Sequence, residues 1–192
     1  VSRVIQPDDN LFYQRNFTIP EGFNKGKVFI NFGAVDQVAK VWINNKPVGK
    51  HIGGYTPFTF DITKFLAPEN DLNSIIVQVK DYSDTSSYSR GKQKIKRGGI
   101  WYSPQSGIWQ SVWLESTPKE HLSSVKITPD FDKKTVEFEY FGTDDVEVLI
   151  YDCGELIADT TKHIVEIPDA KSWSPESPFL YDVEFKACGE TI

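Results

Sequence analysis

Residues 29–61 read FINFGAVDQVAKVWINNKPVGKHIGGYTPFTFD, and nearly every feature of that run belongs to antiparallel sheet. Val28, Ile30 and Phe32 fall on one side of an extended chain, the period of two expected of a half-buried strand. Val41-Trp-Ile43 then meets Asn44-Asn45, and asparagine tolerates the positive φ that a tight hairpin demands. Lys46-Pro-Val-Gly49 returns as the partner strand, and Gly53-Gly54 and Pro57 punctuate the loop that follows. Working outward, Leu11, Tyr13, Phe17 and Ile19 share one face, as do Ile75, Val77 and Val79 before Asp81. Asp61-Ile-Thr-Lys-Phe-Leu66 suits a single capped helical turn, with Asp61 accepting from free backbone N–H groups. No longer helix is expected, and the fold class is all-β.

Beyond Trp109–Leu114, which reads as a closing strand, Pro118-Lys-Glu120 has the composition of a linker. Short strands are expected at Val125–Thr128, Val136–Tyr140, Val146–Tyr151, Leu156–Ala158, His163–Ile167 and Tyr181–Ala187. In the last of these Tyr181, Val183 and Phe185 alternate with Asp182, Glu184 and Lys186. Regular short strands separated by turns suggest a small immunoglobulin-type sandwich, without that fold's Cys–Trp–Cys spacing. The division expected is a domain at 1–118 followed by another at 119–192. Between the early strands, Asp81–Gly99 (DYSDTSSYSRGKQKIKRGG) is 19 residues without apolar periodicity. Loops of that length inside compact domains are usually functional or mobile.

The chain has 192 residues, 39% of them hydrophobic and 14% aromatic, enough for one large or two small cores. A (β/α)8 barrel needs about 250 residues and alternating strands and helices, and neither is present. The net charge of −6 argues against nucleic acid or an anionic membrane as partner, since both require clustered Lys and Arg. No stretch approaches the roughly 18 apolar residues of a membrane span, and VSRVIQPDDN at the start has no signal-peptide core. The chain reads as soluble, with an export signal upstream left open. Cys153 and Cys188 each precede a glycine in a turn-like setting, and free thiols are favoured over a pair.

Several motifs, taken in order, resemble glycoside hydrolase family 2. Leu11-Phe-Tyr-Gln-Arg-Asn-Phe-Thr-Ile-Pro20, Phe32-Gly-Ala-Val-Asp36 with Val41-Trp-Ile-Asn44, and Gly49-Lys-His-Ile-Gly-Gly-Tyr-Thr-Pro-Phe58 are similar to the opening and central strands of its sugar-binding jelly roll. Ser106-Gly-Ile-Trp-Gln110 with Val112-Trp-Leu-Glu115 resembles the closing strand. Trp173-Ser-Pro-Glu-Ser-Pro-Phe-Leu-Tyr181 resembles the signature near the end of the family's immunoglobulin-like second domain. The resemblance implies a galactose-binding-like jelly-roll sandwich that lacks its first strand, expected upstream of Val1-Ser2, then an immunoglobulin-like β-sandwich that stops before its final strand. It also implies a parent β-galactosidase or related retaining β-glycosidase, hydrolysing O-glycosyl bonds in carbohydrate metabolism. The parent's barrel, with its two catalytic glutamates, would lie outside this chain, so the chain alone is expected to be inactive. Its partners would be a β-glycoside and that barrel, and no cofactor is expected. The alternative is a free-standing carbohydrate-binding module without hydrolase activity; a structural sandwich pair for adhesion or assembly is a third reading.

A retaining glycosidase needs two carboxyls about 5 to 5.5 Å apart with separated pKa values. Asp8-Asp9 and Asp144-Asp145 are neighbours in polar turns, whose side chains diverge on extended chain, so no catalytic residue is assigned. Sugars are held by aromatic rings against their C–H faces and polar groups at their hydroxyl rims. Arg90, Lys92, Gln93, Trp101 and Tyr102 supply both kinds within 13 residues, as candidates for substrate contact. The competing interpretation has Trp101 and Tyr102 packed over the core and Arg90, Lys92, Lys94, Lys96 and Arg97 as a solvated basic loop. In some family galactosidases the matching loop lends an aspartate to the cleft; here it reads Lys96-Arg-Gly-Gly99, so Arg90, Lys92 or Gln93 would have to act instead. Asp81 and Asp84 are candidate calcium ligands, although calcium takes six to eight oxygens. His51, Asp36, Trp42 and Asn44 read as packing, turn or solvated residues, and Trp109 and Trp113 as sheet core on one strand face.

Overall fold

The computed structural model describes residues 5–192, and the readings made at Val1 and Ser2 lie outside that range. The chain forms two compact units, one ending at Thr117 and the other spanning Pro118–Ile192. The first contains strands β1 (Leu11–Thr18), β2 (Gly26–Phe32), β3 (Val35–Asp36), β4 (Val38–Ile43), β5 (Lys46–Ile52), β6 (Phe58–Asp61), β7 (Leu72–Lys80), β8 (Gly107–Ile108) and β9 (Val112–Pro118). One sheet runs β1-β7-β4-β5 and the other β6-β2-β9, with β3 and β8 paired as a short ribbon. The alternation read from sequence puts Val28, Ile30, Phe32, Val41, Ile43, Val77 and Val79 into one core. Each such side chain contributes about 1.5–3 kcal/mol when fully buried.

Asn44 and Asn45 form the β4–β5 hairpin tip with φ of 49° and 62°, the left-handed pair expected there. Asn44 does more than turn the chain. Its Nδ2 donates to the Phe65 carbonyl (3.0 Å) and to Asn73 Oδ1 (2.8 Å), while its Oδ1 accepts from Ser74 N–H (2.9 Å). Asn73, fully buried, accepts in turn from Ala67 N–H. Asp61 Oδ1 accepts the Thr63 N–H and opens a 3-10 turn at Thr63–Phe65, and Thr63 Oγ1 accepts the Val28 N–H.

Two apolar expectations are corrected here. Trp109 and Trp113 do not share a strand face: they are 52% and 44% exposed, and the strand breaks between them. The cause is a change of partner. β8 pairs with β3, whereas β9 joins β2, and over Trp109–Ser111 the chain crosses between them, held by Trp109 N–H to the Ala34 carbonyl and Gly33 N–H to the Ser111 carbonyl. That crossing turns both indoles outward. Tyr13, in edge strand β1, is 38% exposed, and its hydroxyl accepts the Ile108 N–H at 3.3 Å. At Gly107, whose φ is +104°, a Cβ would lie 2.1 Å from that hydroxyl, so only glycine fits.

The second unit contains β10 (Ser124–Asp130), β11 (Thr135–Phe141), β12 (Val146–Asp152), β13 (Glu155–Thr160), β14 (Ile164–Glu166), β15 (Asp182–Ala187) and β16 (Glu190–Thr191). Its sheets run β10-β11-β14 and β13-β12-β15-β16. Val136, Phe138, Tyr140, Val148, Ile150 and Phe185 meet in its core. Cys153 and Cys188 cap the β12–β13 and β15–β16 turns and are both exposed, free thiols. The register Val146↔Ala187 and Tyr151↔Asp182 sends those turns to opposite ends of the sheet. At about 3.4 Å per residue they stand on the order of 20 Å apart, far beyond disulfide reach.

The hairpin separates two roles that sequence alone merges. Asn45→Gly should leave thermal stability within about 0.5 kcal/mol of the parent, since glycine adopts the same φ. Asn44→Gly keeps the turn but strips three hydrogen bonds from a buried network, and should cost about 2–3 kcal/mol in urea unfolding.

Candidate functional site

The long segment after β7 is an ordered, cross-strapped loop. Asp81, 3% exposed, accepts the Ser83 N–H on Oδ1 and the Ser106 hydroxyl on Oδ2, both at 2.6 Å, joining the start of the loop to its end. A 3-10 turn at Ser83–Thr85 follows. Asp84 Oδ1 accepts from Ile95 N–H at 3.2 Å, and Gln93 Oε1 from Gln105 N–H. Tyr102 N–H donates to the Lys92 carbonyl (2.8 Å) and Lys94 N–H to the Tyr102 carbonyl (3.0 Å), a small ladder inside the loop. Lys94 Nζ lies 4.1 Å from the Trp101 ring centroid, a cation–π contact.

The loop distributes the residues singled out from sequence. Gln93 faces a hollow described below. Tyr102 is 71% exposed, so it does not pack over the core, while Trp101 is half-buried beneath Lys94. Lys92 is exposed; Arg90 is half-buried, with Nη1 donating to the Ser86 carbonyl and no partner for Nε. The Asp81 and Asp84 carboxylates are engaged by protein donors. Among the described residues no group of three or more His, Cys, Asp or Glu side chains is assembled for a metal.

The hollow, about 450 Å³, is lined by Asp36, Tyr55, Gln93, Gln105, Ser106, Ile108 and Trp109. Its floor comes from the β3–β8 ribbon, where Asp36 pairs with Gly107, and its rim from the Gly53-Gly54-Tyr55 turn and the end of the long loop. Trp109 Nε1–H donates to the Gly54 carbonyl at 2.8 Å, which fixes the indole. Tyr55 meets it edge-on, with centroids 6.2 Å apart and planes at 69°. Gly54 is required by close approach, because a Cβ there would lie 2.6 Å from Asp36 Oδ1.

Asp36 is 6% exposed, and its Oδ1 has no hydrogen-bond partner. Burial first, and the charge of Asp81 second, push its carboxyl up to about 7. A buried carboxyl with a raised pKa near a second carboxyl invites comparison with a glycosidase acid and nucleophile. The geometry argues otherwise: both Asp81 oxygens are taken, and Asp81 does not line the hollow. The arrangement can hold a ligand, with one carboxyl oxygen, amides and aromatic rings turned to it, but offers no free nucleophile beside an acid. His51, stacked on Phe58 at 4.1 Å, has its pKa lowered by burial and serves packing.

Sequence reading set Asp36 aside as a packing residue and Trp109 as core, and passed over Tyr55, Gln105 and Ser106. One signal was there: Asp36 stands between Val35 and Val38 in an apolar run, where a carboxyl needs a partner or a proton.

Asp36 has a consequence for stability. Between about pH 4 and about pH 7 the unfolded chain has lost the Asp36 proton while the folded chain keeps it, so folding binds a proton and stability falls as pH rises through that window. Urea unfolding at a series of pH values should show a loss of at most about 4 kcal/mol across the window, absent in Asp36→Asn.

Residues 2–118 match the family model described as glycosyl hydrolases family 2, sugar binding domain. A β-galactosidase of Thermoanaerobacter pseudethanolicus is 30% identical across 93% of this chain, and the match takes in 26% of that protein. A putative β-glucuronidase of Formosa agariphila is 28% identical across 90% of this chain and 22% of its own length. Among solved structures, a β-glucuronidase from an uncultured Clostridium superposes with a TM-score of 0.71 at 26% identity, over 95% of this chain and 34% of that one. The Ruminococcus gnavus β-glucuronidase, at 23% identity and a TM-score of 0.73 over 92% of this chain and 32% of that one, shares the fold. The chain thus spans about a quarter of the length of these curated relatives and about a third of the solved chains.

Proposed function

This chain belongs to glycosyl hydrolase family 2, and from that premise we propose that it is the non-catalytic N-terminal region of a retaining β-glycosidase of the β-galactosidase and β-glucuronidase kind. Its work is to support a catalytic barrel and to wall one side of the sugar cleft with the 81–106 loop. The observation that carries this reading is the strapping of that loop. A segment of this length without apolar periodicity is usually either functional or mobile, and Asp81–Ser106, Asp84–Ile95 and Gln93–Gln105 hold this one in one shape. It presents Tyr102 and Ile100, 71% and 65% exposed, beside Lys92 and Gln93. Ordering exposed aromatic and polar groups carries an entropic cost that a merely solvated loop has no reason to bear. A rigid platform of such groups suits a wall against which a sugar, or the barrel rim around it, is positioned.

The free-standing carbohydrate-binding module is favoured by a different observation: Tyr55 and Trp109 are half-exposed in a hollow whose lining residues all belong to the first unit. Assaying two proteins side by side on nitrophenyl β-galactoside and β-glucuronide separates the readings. One is the 192-residue chain, the other the product of the whole reading frame that contains it. Turnover by the longer protein alone is expected, and Tyr102→Ala or Gln93→Ala in it should lower kcat/KM about tenfold, equivalent to about 1.4 kcal/mol of transition-state binding. Turnover by the 192-residue chain itself would overturn the proposal, as would a longer protein that binds these sugars without cleaving them.

A further inference from the structure

We propose that a second hollow, rimmed by Phe131, Lys134, Trp173 and Leu180 in the second unit, binds an amphiphilic anion: a medium-length alkyl chain ending in one carboxylate. The inference owes nothing to the glycosidase reading. Every residue it uses lies within Pro118–Ile192, and the matched family model ends at residue 118.

The hollow measures about 340 Å³, within the range of small-molecule sites. Phe138 of β11 lines it from one sheet, and Ile150 of β12 and Val183 of β15 from the other, so it reaches the core between them. Its outer wall is the 167–181 segment, which forms no strand yet is held in place. Ile167 N–H donates to the Lys134 carbonyl and Lys171 N–H to the Tyr181 hydroxyl, both at 2.8 Å, and Ser174 and Ser177 exchange backbone hydrogen bonds at 2.9 and 3.1 Å. Phe179 meets Tyr181 edge-on, with centroids 5.0 Å apart. A close-packed sandwich fills such a space with its own side chains. Here it stays open, and Trp173 and Leu180, 59% and 75% exposed, line it. Exposed apolar groups gathered around a cavity mark a surface with a partner.

The charges at the rim select that partner. Asp130, Lys134 and Lys171 line the hollow, and two of the three are already matched. Asp130 accepts from the Lys133 N–H (3.1 Å) and the Lys133 ammonium (2.6 Å), while Lys171 Nζ donates to both Asp152 oxygens at 2.8 and 2.7 Å. Lys134 is half-buried and makes no ion pair among the described residues; its Nζ lies 3.3 Å from the centroid of the Phe131 ring. Glu166, opposite Thr135 in the β11–β14 register, is exposed and does not line the hollow. An ammonium partly withdrawn from water, with only a ring against it, gains from a charge-assisted bond to a carboxylate. The apolar walls then take the chain behind that head group. A sugar fits poorly, since its hydroxyls would lose water against Val, Ile, Leu and Phe side chains.

Isothermal titration of the 192-residue chain with octanoate, octan-1-ol and octylammonium at neutral pH tests the proposal. Octanoate is expected to occupy one site with a dissociation constant below about 1 mM, octan-1-ol to bind at least about fivefold more weakly, and octylammonium at least about tenfold more weakly. Lys134→Gln should bring octanoate to the level of octan-1-ol. Ala170→Phe, which places a ring in the hollow, and Trp173→Ala should each weaken octanoate about fivefold or more, whereas Trp113→Ala, removing an exposed indole of the first unit, should change nothing. Melting curves and far-ultraviolet dichroism accompany each variant, so that a misfolded Ala170→Phe leaves Lys134→Gln and Trp173→Ala to decide. No octanoate binding at about 10 mM overturns the proposal, as does equal binding of the three ligands or affinity indifferent to both Lys134 and Trp173. Two further outcomes would give the hollow another occupant and overturn it equally. Sedimentation velocity showing a dimer that Trp173→Ala dissolves, with octanoate inert, would assign the face to a second copy. Octanoate binding by the 192-residue chain but not by the product of the whole reading frame would assign it to the rest of that protein.

Discussion

The bond between the Ser106 hydroxyl and the Asp81 carboxylate is the constraint on which the functional face of the first unit depends. It joins residues 25 positions apart in sequence, so it closes a loop whose free chain would cost several kcal/mol of entropy to gather. A bond to a buried carboxylate is among the stronger hydrogen bonds a protein makes, and leaving that oxygen unpaired would cost more than the bond is worth in isolation. One residue beyond Ser106 the chain enters β8, where Gly107 pairs with Asp36. The same contact therefore fixes both the exposed platform around Tyr102 and the floor of the hollow. The charge it places near Asp36 also helps keep that carboxyl protonated near neutrality.

The neighbourhood of β3 is poorly satisfied compared with the rest of the core. Asp36 Oδ1 lacks a partner, and the next residue, Gln37, is fully buried with neither amide atom hydrogen-bonded. Elsewhere buried amides are well provided for, as in the Asn44–Asn73 network and in Asn31, which donates to Glu115 and accepts from Thr59. The penalty is borne by a core whose remaining members are Val, Ile and Phe at close to zero exposure.

Much of the fold was legible because period-two alternation and asparagine turn chemistry are local signals. Val28-Ile30-Phe32, Asn44-Asn45 and Tyr181-Val183-Phe185 each state their own geometry. What failed was non-local. Trp109 and Trp113 sit in a run that looks like one strand, and nothing in it records that β8 belongs with β3 and β9 with β2, the exchange that turns both rings outward. Tyr13 keeps the alternation of a core residue but lies on an edge strand, where a side chain can lean over Gly107 instead. The site was half legible for the same reason. Arg90, Lys92, Gln93, Trp101 and Tyr102 stand together in sequence and could be picked as a group, whereas Asp36, Tyr55, Gln105 and Trp109 become neighbours only once three separate segments meet.

Gln93 belongs to both groupings, and its position ties them physically. Its side chain lines the hollow, while its backbone is bridged to Tyr102, the most exposed ring of the loop. Gln105, held to Gln93 Oε1, lines the hollow from the other end of the same loop. The long loop is thus held from both ends, by Asp81 to Ser106 and by Gln93 to Gln105.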